Sequence, residues 1–173
     1  LAIGVTPDTE LAVKAGLKTG IKGSIVVNDF METSAPDVYA VGDAVQVKHA
    51  VTGEDVLISL AGPDNKQGRI AADNICGGHS RFEGSQGSSV IKLFDMTVAN
   101  TGINEKTAIE LGMDYDKIVL SPAAHATYYP GATTMTMKVI YEKETLRLLG
   151  GQIIGYDGVD KRIDVLAVAI SAG

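Results

Sequence analysis

The chain has 173 residues, of which 45% are hydrophobic and 21% are charged, and its mean hydropathy is +0.14. These values are typical of a soluble folded protein with one domain or two small ones. The net charge of −6 and the lack of a basic block argue against binding to nucleic acid. The sequence contains no run of about eighteen apolar residues, so no membrane span is predicted. Three histidines and a single cysteine, Cys76, show no metal-ligand spacing and fit a cytoplasmic protein without disulfides.

The chain begins with a strand pattern that has no visible sheet partner before it. We expect Leu1–Ile3 to be a strand end, residues 8–15 to form a short helix that Gly16 closes, and residues 23–27 to form a second strand. Because Leu1 is not an initiator methionine and no signal peptide is present, we expect a natural N-terminus upstream of it.

The next segment carries the pattern of an α/β domain. The apolar run at residues 38–41 predicts a strand buried on both faces. Pro63 suits the first position of a helix that should end near Ile75. The stretch at residues 77–87 is rich in Gly and Ser, so we place a domain boundary there and assign residues 1–80 to the first domain.

Residues 81–173 predict an α+β domain. Strands are expected at residues 88–94, 97–101, 115–120, 135–141 and 147–154, and helices at residues 104–111 and 157–172. The last two strands should pair as a hairpin. Gly150, Gly151 and Gly155 precede a helix but match no phosphate-binding fingerprint, so we interpret them as glycines that permit close packing.

The strongest functional signal is the Gly42-Asp43 pair that ends the predicted strand. Ligands of open α/β sheets bind beyond the carboxyl ends of strands, and a glycine lets the backbone approach a ligand closely. The Asp43 carboxylate would then accept hydrogen bonds from sugar-like hydroxyls. The alternative is an Asx-turn in which Asp43 only caps the following turn.

Residues 33–43 read Thr-Ser-Ala-Pro-Asp-Val-Tyr-Ala-Val-Gly-Asp, a run that resembles the second FAD fingerprint of the pyridine nucleotide–disulfide oxidoreductases. Residues 3–8 resemble the family's exit from the NADH domain, and the resemblance continues to Gly173. It implies the incomplete C-terminal part of a Rossmann-like FAD-binding domain, followed by a dimerisation domain with an antiparallel sheet. It also implies that Asp43 binds the ribityl chain of FAD. The cofactor-binding set is Thr33, Gly42, Asp43 and Ala44.

The helix that starts near Gly62 supplies the second candidate site. A helix N-terminus carries roughly half a positive charge and free N–H groups. The resemblance places this N-terminus at the flavin, where the amides of Ala61 and Gly62 would stabilise the reduced ring and Asp64 would partly offset that field. In relatives that reduce coenzyme A disulfide, the polar face borders the substrate channel, which implies substrate contacts for Asn65, Lys66 and Arg69. The alternative is an ordinary capped helix with solvated polar residues.

The third candidate site is the segment at residues 125–132, in which Pro130-Gly131 predicts a tight turn that directs two phenols outward. It resembles the Tyr-Tyr-Pro-Gly loop of the coenzyme A-disulfide reductase branch, where a tyrosine reaches the other subunit's active site. We therefore predict a catalytic role for Tyr129 or Tyr128, with Tyr129 preferred. The alternative is a pair of tyrosines that pack at an interface.

The resemblance implies a homodimeric flavoprotein that uses NAD(P)H to reduce coenzyme A disulfide, or a related disulfide or persulfide, through FAD and a cysteine outside this chain. The chain itself has no glycine-rich dinucleotide fingerprint, no redox cysteine motif and no NADH-binding unit. We therefore expect it to be inactive alone and to bind FAD poorly. NADH oxidase or peroxidase chemistry in the same family, and a non-catalytic dimerisation module, are the alternatives.

Overall fold

The computed structural model describes residues 4–173, and the chain divides into two compact units, the first ending at Ser85 and the second comprising Gln86–Gly173. Each unit has its own apolar core. The strand predicted for Leu1–Ile3 lies outside the described residues. Among the described helices, none is both long and apolar enough to cross a bilayer.

The first unit combines a small mixed sheet with two helices and a single 3-10 turn at Ile21–Gly23. Its elements are α1 (Glu10–Lys14), β1 (Ile25–Val26), β2 (Val45–Lys48), β3 (Asp55–Val56) and α2 (Ala61–Ile75). Strand β2 is central, because it pairs in parallel with β1 and antiparallel with β3. Its buried side chains join a core made of Met31, Val45, Val47, Ala71 and Phe82.

Helix α2 depends on packing more than on local signals. Its N-cap, Leu60, makes no side-chain capping hydrogen bond, and Gly62 and Gly68 are poor helix formers. The helix starts at Ala61, so Pro63 is its third residue and not the first as predicted. The proline is tolerated there because N–H groups of the first turn lack intrahelical acceptors anyway. The predicted end is confirmed: the helix stops at Ile75, shortly before a glycine in the left-handed region.

The strand predicted at residues 38–41 is wrong. Only Tyr39 makes an isolated antiparallel bridge, with Glu32, and the side chains of Val38 and Val41 are 40% and 41% exposed. A run of apolar residues becomes a strand only where a neighbouring strand completes the ladder. Among the described residues, β1 pairs with β2 and not with residues 38–41. The Gly42-Asp43 pair therefore precedes a buried strand and does not follow one.

The second unit is the predicted α+β domain with an antiparallel sheet, which is confirmed. Its elements are β4 (Ser89–Leu93), β5 (Met96–Gly102), α3 (Glu105–Glu110), β6 (Tyr115–Leu120), β7 (Thr136–Glu142), β8 (Leu148–Gly155) and α4 (Val159–Ala172). The strand order is β4-β5-β8-β7-β6, with every neighbouring pair antiparallel. Helix α4 buries Val159 and Ile163 against the sheet, and Asn104 caps α3 by accepting the Thr107 N–H.

The glycines of β8 allow close packing, as the sequence predicts. A Cβ at Gly150 would lie 1.9 Å from the carbonyl oxygen of Ile103, and one at Gly151 would lie 2.7 Å from Cδ1 of Leu166. Neither distance is compatible with a real side chain, and the first involves backbone that cannot swing aside. The strand therefore requires glycine at position 150 in order to pack against the segment that follows β5.

We predict that Gly150→Ala lowers the free energy of unfolding by about 3 kcal/mol, because the added methyl group displaces backbone. The control is Gly68→Ala in α2, where a Cβ meets no heavy atom within 4 Å; it should raise stability by roughly 0.5–1 kcal/mol through helix propensity. Urea unfolding followed by circular dichroism measures both. A Gly150→Ala midpoint equal to that of the unaltered chain would show that the backbone accommodates the methyl group.

Candidate functional site

Two hydrogen bonds hold the Gly42-Asp43 turn. The Gly42 N–H donates to Oε1 of Gln67 on α2 at 2.7 Å, and the Gly42 carbonyl accepts the Val45 N–H at 3.1 Å. Gly42 has a φ of 89°, a backbone conformation that residues with side chains rarely adopt. Asp43 follows and is exposed. The turn therefore presents a carboxylate to solvent from a fixed backbone.

The start of α2 lies beside this turn. Gln67 is 1% exposed, and Asp64 lies one helical turn before it on the same face. The side chains of Asp64 and Asp43 lie close enough for Asp43 to raise the pKa of Asp64. Ala61 and Gly62 are exposed in the first turn, and a Cβ at Gly62 would meet no heavy atom within 4 Å. The exposed first turn of α2 thus lies near the exposed Asp43 carboxylate.

The Asp64 carboxyl group holds its proton more strongly than an aspartate in water does. Burial raises the pKa of Asp64 to about 6, and the hydrogen bond and repulsion from Asp43 act in the same direction. A hydrogen bond between two carboxyl groups requires a proton on one of them, and Asp64 is the one whose neutral form is favoured. The Oδ1 atom of Asp64 is buried without a hydrogen-bond partner among the described residues.

Of the other predicted cofactor residues, one lies at the turn and one is engaged elsewhere. The Ala44 carbonyl accepts the Ile25 N–H at 2.8 Å, which ties the turn to β1. The Thr33 hydroxyl accepts the Ala35 N–H at 3.2 Å, and the Thr33 N–H donates to the Val38 carbonyl at 2.9 Å. The polar groups of Thr33 thus shape their own loop.

The predicted substrate-binding residues share the outward side of α2. Asn65, Lys66 and Arg69 are all exposed, whereas Gln67 and Ala71 of the same helix are buried. Their side chains extend into solvent from a helix that is anchored by its opposite face. The two cations give this face a local positive charge in a chain whose net charge is negative.

The tyrosine segment belongs to the second unit and forms the predicted turn. Tyr128 is 86% exposed and Tyr129 is 66% exposed. The Tyr129 ring makes edge contacts with the rings of Tyr128 and His125, at centroid distances of 6.1 and 6.3 Å. Its N–H donates to the Ala126 carbonyl at 3.0 Å. Both phenols therefore reach solvent, and Tyr129 is the more restrained of the two.

Sequence reasoning missed Gln67 as a site residue. A signal was present, since Gln67 precedes Ala71 by one helical turn and so falls on the buried stripe of α2. A polar residue on an apolar stripe indicates a buried hydrogen bond, because an unsatisfied amide would be costly there. Its partner, the Gly42 N–H, lies 25 residues earlier in the chain and follows only from the fold.

Two family models match the chain. The model of the pyridine nucleotide-disulphide oxidoreductases matches residues 1–59, and the model of that family's dimerisation domain matches residues 88–173. The chain belongs to the pyridine nucleotide-disulphide oxidoreductase family. Members of this family are FAD- and NAD(P)H-dependent enzymes. The five-stranded antiparallel sheet of the second unit is the sheet of the dimerisation domain.

Similar proteins span the whole chain but are much longer. The chain is 39% identical over 173 residues to the CoA-dependent NAD(P)H sulfur oxidoreductase of Pyrococcus furiosus, covering 100% of this chain and 39% of that protein. It is 38% identical to an NADH oxidase of Methanocaldococcus jannaschii, covering 98% of this chain and 38% of that protein. The crystal structure of reduced Bacillus anthracis CoADR-RHD superposes with a TM-score of 0.96 at 48% identity, covering 99% of this chain and 31% of that one.

We predict that Asp64→Asn makes the protein more stable than the unaltered form above pH 6, by roughly 2–4 °C in unfolding midpoint. The raised pKa of Asp64 means that its contribution to stability is complete below its ordinary value of 3.8 and is lost as the pH rises through about 6. Asparagine stays neutral and can still donate to Asp43, so it avoids this loss.

Thermal unfolding between pH 4 and pH 8 measures the effect. Asp95→Asn, at an exposed carboxylate in the turn between β4 and β5, is the control and should show no such pH-dependent gain. A constant difference between Asp64→Asn and the unaltered protein at all pH values would contradict the raised pKa of Asp64.

Proposed function

We propose that this chain is part of an FAD-dependent NAD(P)H disulfide oxidoreductase that reduces coenzyme A disulfide or a related disulfide or persulfide. Residues 1–80 would supply part of the FAD site, and residues 81–173 the dimer interface. The redox cysteine would lie outside this chain, so the chain alone would be inactive. The observation that carries the proposal is the exposed Asp43 carboxylate, fixed at the end of an FAD-fingerprint sequence and beside the start of α2.

The residues of the turn fit the hydroxylated chain of a flavin. Asp43 would accept hydrogen bonds from ribityl hydroxyls, and the bond from the Gly42 N–H to Gln67 would keep its backbone oriented. A Cβ at Gly42 or Gly62 would meet nothing within 4 Å, so both glycines leave room for a ligand against the backbone. The amides at the start of α2 supply a positive potential toward the same space. When bound, FAD would take up hydride from NAD(P)H and pass the electrons on to a disulfide.

The exposed cations of α2 support a substrate that carries phosphate groups. Lys66 and Arg69 project from one face of the helix, and Asn65 offers an amide between them and the helix start. Coenzyme A carries phosphates that such cations bind well. The Pyrococcus relative is named as CoA-dependent, which favours the same class of substrate. In this proposal the three side chains orient the coenzyme A moiety.

Tyr129 would act at the disulfide. Its phenol is a neutral donor near pH 7 and can hydrogen-bond a thiolate without adding charge. Because the loop is exposed on the second unit, we propose that it serves the active site of the partner subunit in a homodimer. The exposed apolar side chains of the sheet's edge strands, including Val90, Ile91 and Val119, support burial in such a dimer.

Two alternatives have support of their own. The Methanocaldococcus relative is named an NADH oxidase, so oxygen reduction is the second candidate within this family. Titration of the complete protein with coenzyme A disulfide and with oxygen would separate the two acceptors. A purely structural dimerisation role is the third candidate. Sedimentation of the 173-residue chain would test it, since a strict monomer at micromolar concentration would exclude that role. We place the protein in the cytoplasm, where its exposed thiol, Cys76, would stay reduced.

We predict that Asp43→Ala in the complete protein releases most of its flavin, because the ribityl hydroxyls lose a charged acceptor. The flavin-to-protein ratio of the purified protein measures this. Glu54→Ala, which removes another exposed carboxylate of the same unit, should leave the ratio unchanged. An Asp43→Ala protein with unaltered flavin content and absorption spectrum would refute the proposed FAD site.

We predict that Tyr129→Phe slows disulfide turnover about tenfold or more, because the phenol donates only in that half-reaction. Flavin reduction by NADH should proceed at its normal rate, and stopped-flow absorbance separates the two steps. Tyr128→Phe removes the more exposed phenol of the same loop and should have the smaller effect. Equal slowing of both half-reactions by Tyr129→Phe would assign the residue a structural role instead.

A further inference from the structure

Gln67 is a buried amide on helix α2, whose buried side also includes Ala71. It is 1% exposed, and its Oε1 atom lies 2.7 Å from the Gly42 backbone nitrogen. Transfer of an amide from water into a protein core is unfavourable unless its polar atoms are paired. The contact therefore offsets the burial of Gln67, and it does so at the turn that carries Asp43.

The bond completes the restraint of the two peptide groups that flank Gly42. The Gly42 carbonyl already accepts the Val45 N–H, so with Gln67 in place both backbone polar groups of Gly42 are engaged. The glycine has a φ of 89° and no side chain, and nothing else on the residue could restrict its rotation. The direction in which the next residue, Asp43, leaves the turn thus depends on the Gln67 contact.

The same contact links two parts of the proposed cofactor site. Asp43 belongs to the turn, whereas Ala61 and Gly62 belong to the first turn of α2, five to six residues before Gln67. A single ligand can use the carboxylate and the helix amides together only if their separation is fixed. Restraint before binding improves affinity because less freedom is lost when the ligand arrives.

We propose that Gln67 is a positioning residue for the cofactor: by accepting the Gly42 N–H, it fixes the Asp43 carboxylate relative to the start of α2 so that one FAD molecule is bound by both. The proposal rests on the assignment of Asp43 to FAD. A glutamine suits the position because it accepts a hydrogen bond without placing a third carboxyl group beside Asp43 and Asp64.

The test compares two glutamines in the complete protein. Gln46 is also buried, at 9% exposure, and its Oε1 accepts the Ile21 N–H at 3.0 Å. Gln67→Met and Gln46→Met each remove one buried amide that holds one backbone N–H. Apoprotein prepared from each variant is titrated with FAD, and its thermal unfolding is recorded in parallel. Unfolding measures the loss of structure, whereas the Kd for FAD measures the positioning of Asp43.

We expect Gln67→Met to raise the Kd for FAD about tenfold and to alter the absorption band of the bound flavin. Gln46→Met should lower the unfolding temperature to a similar extent but change the Kd by less than about twofold. If Gln67→Met does not fold, Gln67→Asn and Gln46→Asn replace the pair with the same expectations.

Equal changes in Kd for the two glutamine variants, while Asp43→Ala still releases flavin, would overturn the positioning role and leave the FAD site standing. Retention of flavin by Asp43→Ala would instead remove the proposed function on which the inference rests. The two failures are thus distinguished by the Asp43 variant.

Discussion

The hydrogen bond from the Gly42 N–H to Gln67 is the interaction on which the candidate site depends. It joins a turn to a helix that begins almost twenty residues further along the chain, and it brings Asp43 and Asp64 into contact. Without it, the turn would carry an exposed carboxylate of undefined direction, and the helix would present its N-terminal amides to solvent alone. This hydrogen bond therefore joins a turn and a helix into one candidate ligand site.

Much of the fold follows from local sequence signals such as helix caps and turns. Asn104 caps α3, Gly77 stops α2, and the hairpin of β7 and β8 forms around its predicted turn, because each of these depends on residues close in sequence. The strand at residues 38–41 could not be judged in this way. Whether an apolar run forms a strand depends on the ladder partner, and periodicity carries no information about which strand lies beside it.

The same distinction between local and long-range contacts applies to the candidate site. The fingerprint at residues 33–43 points to Asp43, but the sequence did not indicate that Thr33 uses its hydroxyl within its own loop. The roles of Gln67 and Asp64 depend on contacts between segments some twenty residues apart, where desolvation and the neighbouring Asp43 raise the pKa of Asp64. Such properties arise from burial. In the sequence, this burial is indicated only by a polar residue at an apolar position of the helix.

The strand order of the second unit has a consequence for how it folds. Strands β4 and β5 form one hairpin and β7 and β8 another, each from neighbouring residues, but β5 and β8 pair across about fifty residues of intervening chain. Hairpins of this size form in microseconds, whereas closing the long loop loses far more chain entropy. We therefore expect the ladder between β5 and β8 to form last. During synthesis, the hairpin of β4 and β5 would keep one edge unpaired until β8 has left the ribosome.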